Sequence, residues 1–99
     1  MAKSVILYWR DIPSQIVVKK GRESAKRILS NRFQEAIDIT AMRSQSHNSN
    51  DYLAEWHRGQ PEECSNDINA EADAKLSRVE FDYNEHRLTS MIKSDGWEN

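Results

Sequence analysis

The stretch from Val5 to Gly21 constrains the fold of this chain more than any other. It reads VILYWRDIPSQIVVKKG and holds two apolar runs, separated by the charged pair Arg10-Asp11 and by Pro13. Proline has no N–H to donate to a sheet and keeps the residue before it extended. Two extended runs joined by about four residues are typical of an antiparallel hairpin. The stretch therefore predicts a β-hairpin at the centre of the fold.

The first predicted strand, 4–9, carries apolar side chains on both of its faces. Val5 and Leu7 lie on one side, whereas Ile6 and Tyr8 lie on the other. A strand with one solvated face shows a clean alternation of apolar and polar residues instead. We therefore expect helices to cover one face of the sheet and a loop or a partner to cover part of the other.

The middle of the chain predicts a helix and a third strand. Residues 22–29 fit either a helical turn or a loop, and a helix capped at Ser30-Asn31 then runs through Arg43 with an apolar stripe. The polar segment 44–50 is typical of a loop. Residues 51–58 alternate as a third strand would, although a short helix also fits.

The last third of the chain predicts an acidic linker, 62–66, and a long helix, 67–93. That helix would be about 40 Å long if unbroken, because each residue adds 1.5 Å. We expect it to project, to bend near residues 84–86, or to meet another chain. The tail, 94–99, is expected to fray unless Trp97 folds back onto the body.

The predicted fold is a small α+β domain spanning residues 1–99. Its core, 1–61, has the order ββαβ, and the C-terminal helix completes the order ββαβα. We expect a three-stranded antiparallel sheet with helices on one face.

Charge and hydropathy limit the classes of function. Fourteen Lys and Arg against sixteen Asp and Glu give a net charge of −2, which excludes a globally basic nucleic-acid binder. The charge is uneven, since the first third is basic and residues 62–73 are acidic. No apolar run approaches the roughly 20 residues of a membrane span, and the start of the chain shows no signal-peptide pattern, so we expect a cytoplasmic protein.

The leading candidate for a binding site is the hairpin connection together with the third strand. Its candidate residues are Tyr8, Trp9, Arg10, Asp11, Trp56 and Arg58. Trp and Arg are the side chains most often found as interface anchors, and a proline-containing turn would hold them rigidly. The alternative is that both Trp side chains fill the core and that Arg10 pairs with Asp11 or with a helix carboxylate.

A basic face is the second candidate. It comprises Lys19, Lys20, Arg22, Lys26 and Arg27. Such a cluster can hold phosphate or RNA backbone, or steer an acidic protein partner. It has no interleaved aromatic residues and only Gly21 for a phosphate-binding loop, so we expect a solvated face rather than a nucleic-acid site.

No motif predicts catalysis, a cofactor or a metal. The metal-ligand candidates match no usual zinc spacing: His47, His57, Cys64 and His86. No nucleophile elbow is found, and no Cys/His signature. An enzyme would need an ion pair and a general acid or base to converge in a pocket at the hairpin edge: Arg10, Asp11, Glu55 and His57.

Five pieces within roughly the first sixty residues resemble the small bacterial virulence factor domain family. They read YWRDIPSQI at 8–16, VKKGR at 18–22, RFQEAID at 32–38, AMRS at 41–44 and DYLAEW at 51–56. These pieces are also similar to a region of conserved virulence factor C. The resemblance implies a cytosolic bacterial accessory or regulatory protein and supplies no activity, ligand or site residue.

The sequence therefore predicts a noncatalytic binding module that docks a larger protein. The contact would use the Trp9-Arg10-Asp11 edge and the basic face, with the last helix as a second contact that could also join two copies. A small enzyme or cofactor-handling subunit with a pocket at the hairpin edge is the alternative. RNA or DNA binding through Lys19 to Arg27 is a further alternative.

Overall fold

The computed structural model describes residues 2–44 and 49–98, and within them the chain forms five strands and four helices. In chain order they are β1 (Ala2–Trp9), β2 (Ile12–Lys20), β3 (Glu23–Ile28), α1 (Asn31–Arg43), α2 (Ser49–Ala54), β4 (Trp56–Arg58), β5 (Glu62–Cys64), α3 (Ile68–Asp82) and α4 (Glu85–Lys93). The α+β class is confirmed, but the three-stranded sheet is wrong. Residues 45–48 of the predicted loop, His47 among them, lie outside the described part.

The sheet is antiparallel and is built around β1. The predicted hairpin is confirmed, because β2 runs back along one edge of β1 with Val17 opposite Val5. Its predicted connection of about four residues is wrong, since the turn comprises only Arg10 and Asp11, and Pro13 lies in β2 opposite Tyr8. β3 pairs with the outer edge of β2. The other edge of β1 is shared by two short strands, with Arg58 of β4 opposite Leu7 and Glu63 of β5 opposite Lys3.

Two tight turns connect the three long strands. Gly21, in the β2–β3 turn, has a φ of 60°, a conformation that glycine adopts without steric cost. Arg10, in the β1–β2 turn, has a φ of 55°. A side chain in this region costs about 1 kcal/mol or more, so the surrounding structure must hold it there. One such contact is the Arg10 N–H, which donates to the Glu55 carbonyl at 3.0 Å.

Three predicted segments are wrong, and each of them contains a strand that pairs with β1 or β2. Residues 22–29, predicted as a helical turn or loop, form β3, where Ala25 lies opposite Val18. Residues 51–58, predicted as one strand, are divided between α2 and β4, so the short-helix alternative describes their first half. The predicted linker 62–66 contains β5, which pairs with the start of β1.

The long helix predicted over 67–93 is instead two helices with a break at Asn84. The Asn84 side chain accepts a hydrogen bond from the Arg87 N–H at 2.9 Å and so caps the start of α4. The expected bend near residues 84–86 is therefore present. It keeps α4 against α1 within a molecule of 40 × 29 × 23 Å.

The core lies between the sheet and the helices. Ile16 and Val18 of β2 are fully buried on the face that α3 covers, together with Ala72 and Val79 of that helix. Arg27 lies on the same face and donates to the Asp73 carboxylate of α3 at 2.6 Å. One face of the sheet is thereby closed.

Candidate functional site

The aromatic side chains of the predicted hairpin site pack into the fold. Trp9 is fully buried, and its indole N–H donates to the Tyr52 carbonyl at 2.9 Å. The Tyr52 ring lies 5.8 Å from Trp9 and 5.9 Å from Trp56, so three rings form one cluster. Trp56 is half-buried beside Trp9 in the β1–β4 pairing. This arrangement matches the core alternative for both Trp side chains.

Arg10 connects the hairpin turn to the segment 94–98. Its guanidinium carbon lies 4.9 Å from the Trp9 ring and 5.6 Å from the Trp97 ring, within the range of cation–π attraction. Its Nη1 donates to the Asp95 carbonyl at 2.6 Å, and its Nε lies 3.5 Å from a Glu55 carboxylate oxygen. Arg10 is 8 % exposed. These contacts hold the end of the described chain on the turn.

Asp11 completes this attachment. Its N–H donates to the Gly96 carbonyl at 2.9 Å, and its carboxylate accepts from the Glu98 N–H at 2.7 Å. Arg87 of α4 donates twice to the Glu98 carboxylate, both at 2.6 Å. These bonds lower the pKa of Glu98, because they stabilise its charged form. Trp97 thus folds back onto the body.

Of the four residues that an enzyme would use, Arg10, Glu55 and His57 lie close together, but each is engaged in contacts within the fold. The His57 Nε2 lies 2.5 Å from the Arg10 carbonyl oxygen, and its ring stacks on Tyr8 at 5.5 Å. Glu55 contacts Arg10, as described above. Burial raises the pKa of the Tyr8 phenol, with nearby carboxylates adding to the shift. Every one of these contacts holds one element to another.

Cys64 is the remaining nucleophile candidate, and His57, Cys64 and His86 are the metal-ligand candidates within residues 2–44 and 49–98. Burial raises the pKa of the Cys64 thiol and Glu71 adds to the rise, so the thiol is poorly suited to act as a nucleophile. No group of three or more His, Cys, Asp or Glu among the described residues could hold a metal ion.

The second face of the sheet is not covered by the helices of the described fold. We define the open face as the apolar centre Val5, Leu7 and Val17, the border residues Ile28 and Pro61, and the cations Lys3, Lys19, Lys26 and Arg58. The three central side chains are only partly buried, and Ile28 is 79 % exposed. Ile16 and Val18 on the opposite face are fully buried. The two faces of the sheet therefore differ in accessibility although both are apolar.

A shallow cavity of about 320 Å³ lies over the open face. Val5, Leu7 and Val17 form its floor, and Pro61 is on its border. Lys3, Lys19 and Arg58 line it as well, while the strand register places Lys26 opposite Val17. The cavity thus combines an apolar centre with a cationic rim.

The cations of the open face are not used by the ion pairs of the described fold. Those pairs join Arg10 to Glu55, Arg27 to Asp73, Arg32 to Glu80, Lys75 to Glu62 and Arg87 to Glu98. Across the described strands, one carboxylate, Glu63, lies opposite a rim cation, Lys3. The rim therefore carries an excess of positive charge that the fold itself does not neutralise.

The five residues of the predicted basic face are divided among three places. Lys19 and Lys26 lie on the open face. Lys20 and Arg22 are exposed at the β2–β3 turn, and Arg27 is on the helix-covered face beside α3. Arg58, predicted with the hairpin edge, joins the open face instead. The sequence signal for this surface was the presence of apolar residues on both faces of β1.

The chain was compared with known proteins in three ways. The family model described as "Virulence factor" matches residues 7–92. Neither the curated proteins nor the solved structures contain a match. In the described residues, no helix combines the length and the apolar character needed to cross a membrane. Because the match covers most of the chain, from residue 7 in β1 to residue 92 in α4, the protein belongs to the virulence factor family.

Proposed function

We propose that this domain is a noncatalytic cytoplasmic accessory module that binds a larger protein partner on its open face. One observation carries the proposal: a regular sheet presents Val5, Leu7 and Val17, which are only half-buried, at the centre of a cationic rim. A contiguous apolar patch with a polar rim is the usual anatomy of a protein interface.

The rigidity of the open face supports this function. Its central residues lie on β1 and β2, the two strands of the confirmed hairpin, and the opposite face is held by the buried core. A preformed surface loses little conformational entropy when it binds. The hairpin connection supports binding less well, because Trp9 and Arg10 are already buried by contacts within the domain.

Photochemical crosslinking in the host tests where the partner docks. A benzophenone amino acid in place of Ile28 reports on the open face, where this side chain is 79 % exposed. The matched control replaces Phe81 of α3, which is 82 % exposed. We expect the probe at position 28 to crosslink one protein larger than the domain and the probe at position 81 not to do so.

The two probes also separate the competing outcomes. A crosslink from position 81 to a second copy of the chain, with none from position 28, would support dimer formation through the last helices and contradict the proposed function. Crosslinks from neither position would contradict it as well. The charge-reversed variant Lys19→Glu/Lys26→Glu should lose the crosslink from position 28, whereas Lys20→Glu/Lys93→Glu should keep it.

A further inference from the structure

We infer that the segment of the partner that covers the open face is an acidic amphipathic helix. This inference rests on the proposed function and adds the chemistry of the ligand. It follows from three properties of the open face: its hydrogen bonding, its size and its charge.

Hydrogen bonding decides between a strand and a helix. The N–H and C=O groups of β1 and β2 are used within the sheet, since each of these strands has a neighbour on both edges. An incoming strand adds to a free edge of a sheet and not to its face. A helix satisfies its own backbone groups and can bury an apolar stripe against the pleated surface. The molecule already shows this arrangement on its other face, where α3 packs on β2.

The size of the open face fits a short helix. The segment from Lys3 to Leu7 is about 14 Å long, at about 3.4 Å per residue of a strand. A helix of about three turns is about 16 Å long and would cover it. Its apolar stripe would fill the cavity over Val5, Leu7 and Val17.

The charge of the rim determines which residues should flank the apolar stripe of the partner helix. The rim holds Lys3, Lys19, Lys26 and Arg58 around the apolar centre, with Glu63 beside Lys3. Carboxylates on both sides of a helical stripe would meet these cations, and such complementarity steers association and rejects wrong partners. Two open faces packed together would instead set cations against cations. A helix flanked by Glu or Asp therefore fits better than a second copy of the same face.

A designed peptide tests the inference without knowledge of the partner. The probe is an acetylated, amidated peptide of about 18 residues, long enough to form a helix, with Leu at positions i, i+3, i+4 and i+7, Glu beside this stripe and Ala elsewhere, since Glu at all other positions would repel itself and oppose the helix. One control has Lys in place of Glu, and a second has the same Leu and Glu in shuffled order. Binding is followed by the amide shifts of the ¹⁵N-labelled protein.

We expect saturable binding of the acidic helix, with shifts concentrated on β1, β2 and β3. Lys19→Glu/Lys26→Glu should weaken it by about tenfold or more, a change of about 1.4 kcal/mol. Lys20→Glu/Lys93→Glu reverses as many charges away from the open face and should bind as the wild type does. Added salt should weaken the binding, because the rim is solvent-exposed.

Several outcomes would overturn the inference. They are absence of saturable binding, equal binding of the shuffled or Lys peptide, or equal effects of the two double variants. Binding of single-stranded RNA or of phosphatidylglycerol vesicles in place of the peptide would assign the face to another ligand. Sedimentation showing a dimer that Lys19→Glu/Lys26→Glu dissolves would assign it to a second copy. If crosslinking from position 28 succeeds while the peptide fails, the proposed function stands and the helix is wrong; failure of the crosslink alone contradicts the proposed function.

Discussion

The hairpin connection and the apolar centre of the open face belong to the same two strands, β1 and β2, but the side chains at these two places have different roles. At the connection, Trp9 is fully buried and Arg10 contacts two aromatic rings and two other segments of the chain. On the open face, Val17 is only half-buried, and Lys19 takes no part in the ion pairs of the described residues. Trp9 and Arg10, which are of the types most common as interface anchors, stabilise the fold. The aliphatic and lysine side chains of the open face remain accessible.

The difference shows that residue type alone does not identify a binding surface. Trp and Arg are enriched at interfaces because they offer large contact area and many hydrogen bonds, and the same properties suit a buried junction. At the Arg10 turn, a strained backbone conformation is held by such contacts. Accessibility, which depends on the whole fold, separates the two uses.

The largest expected effect follows from truncating the buried ring. Trp9→Ala should lower the free energy of unfolding by about 3–5 kcal/mol, because it removes a fully buried indole and leaves a cavity. Trp97→Ala should cost much less, about 1 kcal/mol, since that ring is 46 % exposed. Urea unfolding followed by far-UV circular dichroism measures both. Equal losses would show that the two rings do not differ in the way the structure describes.

The fold was predictable where its signals are local. Pro13 and the flanking apolar runs predict the hairpin, and the stripe from Phe33 to Ala41 predicts α1, which is present over Asn31–Arg43. β3 and β5 were missed because pairing with other strands keeps them extended, β3 with β2 across the Gly21 turn and β5 with the distant start of β1. The segment 62–64 holds two glutamates and one cysteine, and it is extended because it lies beside Ala2 to Ser4.

The candidate site was predictable only in part, for the same reason. Apolar residues on both faces of β1 correctly indicated a second face that helices do not fully cover. The burial of Arg10 could not be foreseen, since its guanidinium reaches a carbonyl 85 positions away along the chain. The division of the basic residues also depends on strand register, which places Lys26 and Arg27 on opposite faces.

Two glycines with positive φ sharpen the comparison at the hairpin connection. Gly96→Ala should cost about 2 kcal/mol, because its φ of +87° disfavours a side chain and its Cβ would lie 3.1 Å from the Arg10 Cδ. Gly21→Ala, with a φ of +60° and nothing within 4 Å, should cost about 1 kcal/mol from backbone strain alone. Urea unfolding gives both values. A larger loss of stability for Gly21→Ala than for Gly96→Ala would mean that the 94–98 segment is not held against Arg10.

A pair of charge reversals tests the open face with small effects of opposite sign. Lys19→Glu should stabilise the domain by up to about 0.5 kcal/mol, because it sets a carboxylate opposite Lys3. Lys20→Glu should destabilise it by a similar amount, because it sets a carboxylate opposite Glu23. Thermal unfolding of the two variants in low salt measures the difference. Loss of peptide binding in the more stable variant would separate binding from folding.

The smallest expected effect is a dependence of the 94–98 segment on acid. Arg87 holds the pKa of Glu98 below its usual value, so the folded state binds this proton less readily than the unfolded chain does. The stabilisation is therefore complete above the unfolded pKa and is lost as the pH falls through the lowered one. Trp97 emission should report the release of the segment before global unfolding. It is measured in a Trp9→Phe/Trp56→Phe variant while the pH is lowered.

The control for this acid step is Glu98→Gln, which cannot titrate at position 98. At neutral pH, this variant should show more of the Trp97 emission of the released segment than the wild type does. Mild acidification should not change its emission further. The effect stays small because the pair is partly exposed, with about a third of each side chain accessible. An acid step that persists unchanged in Glu98→Gln would assign it to another carboxylate and would leave Arg10 and Asp11 as the main attachment of the segment.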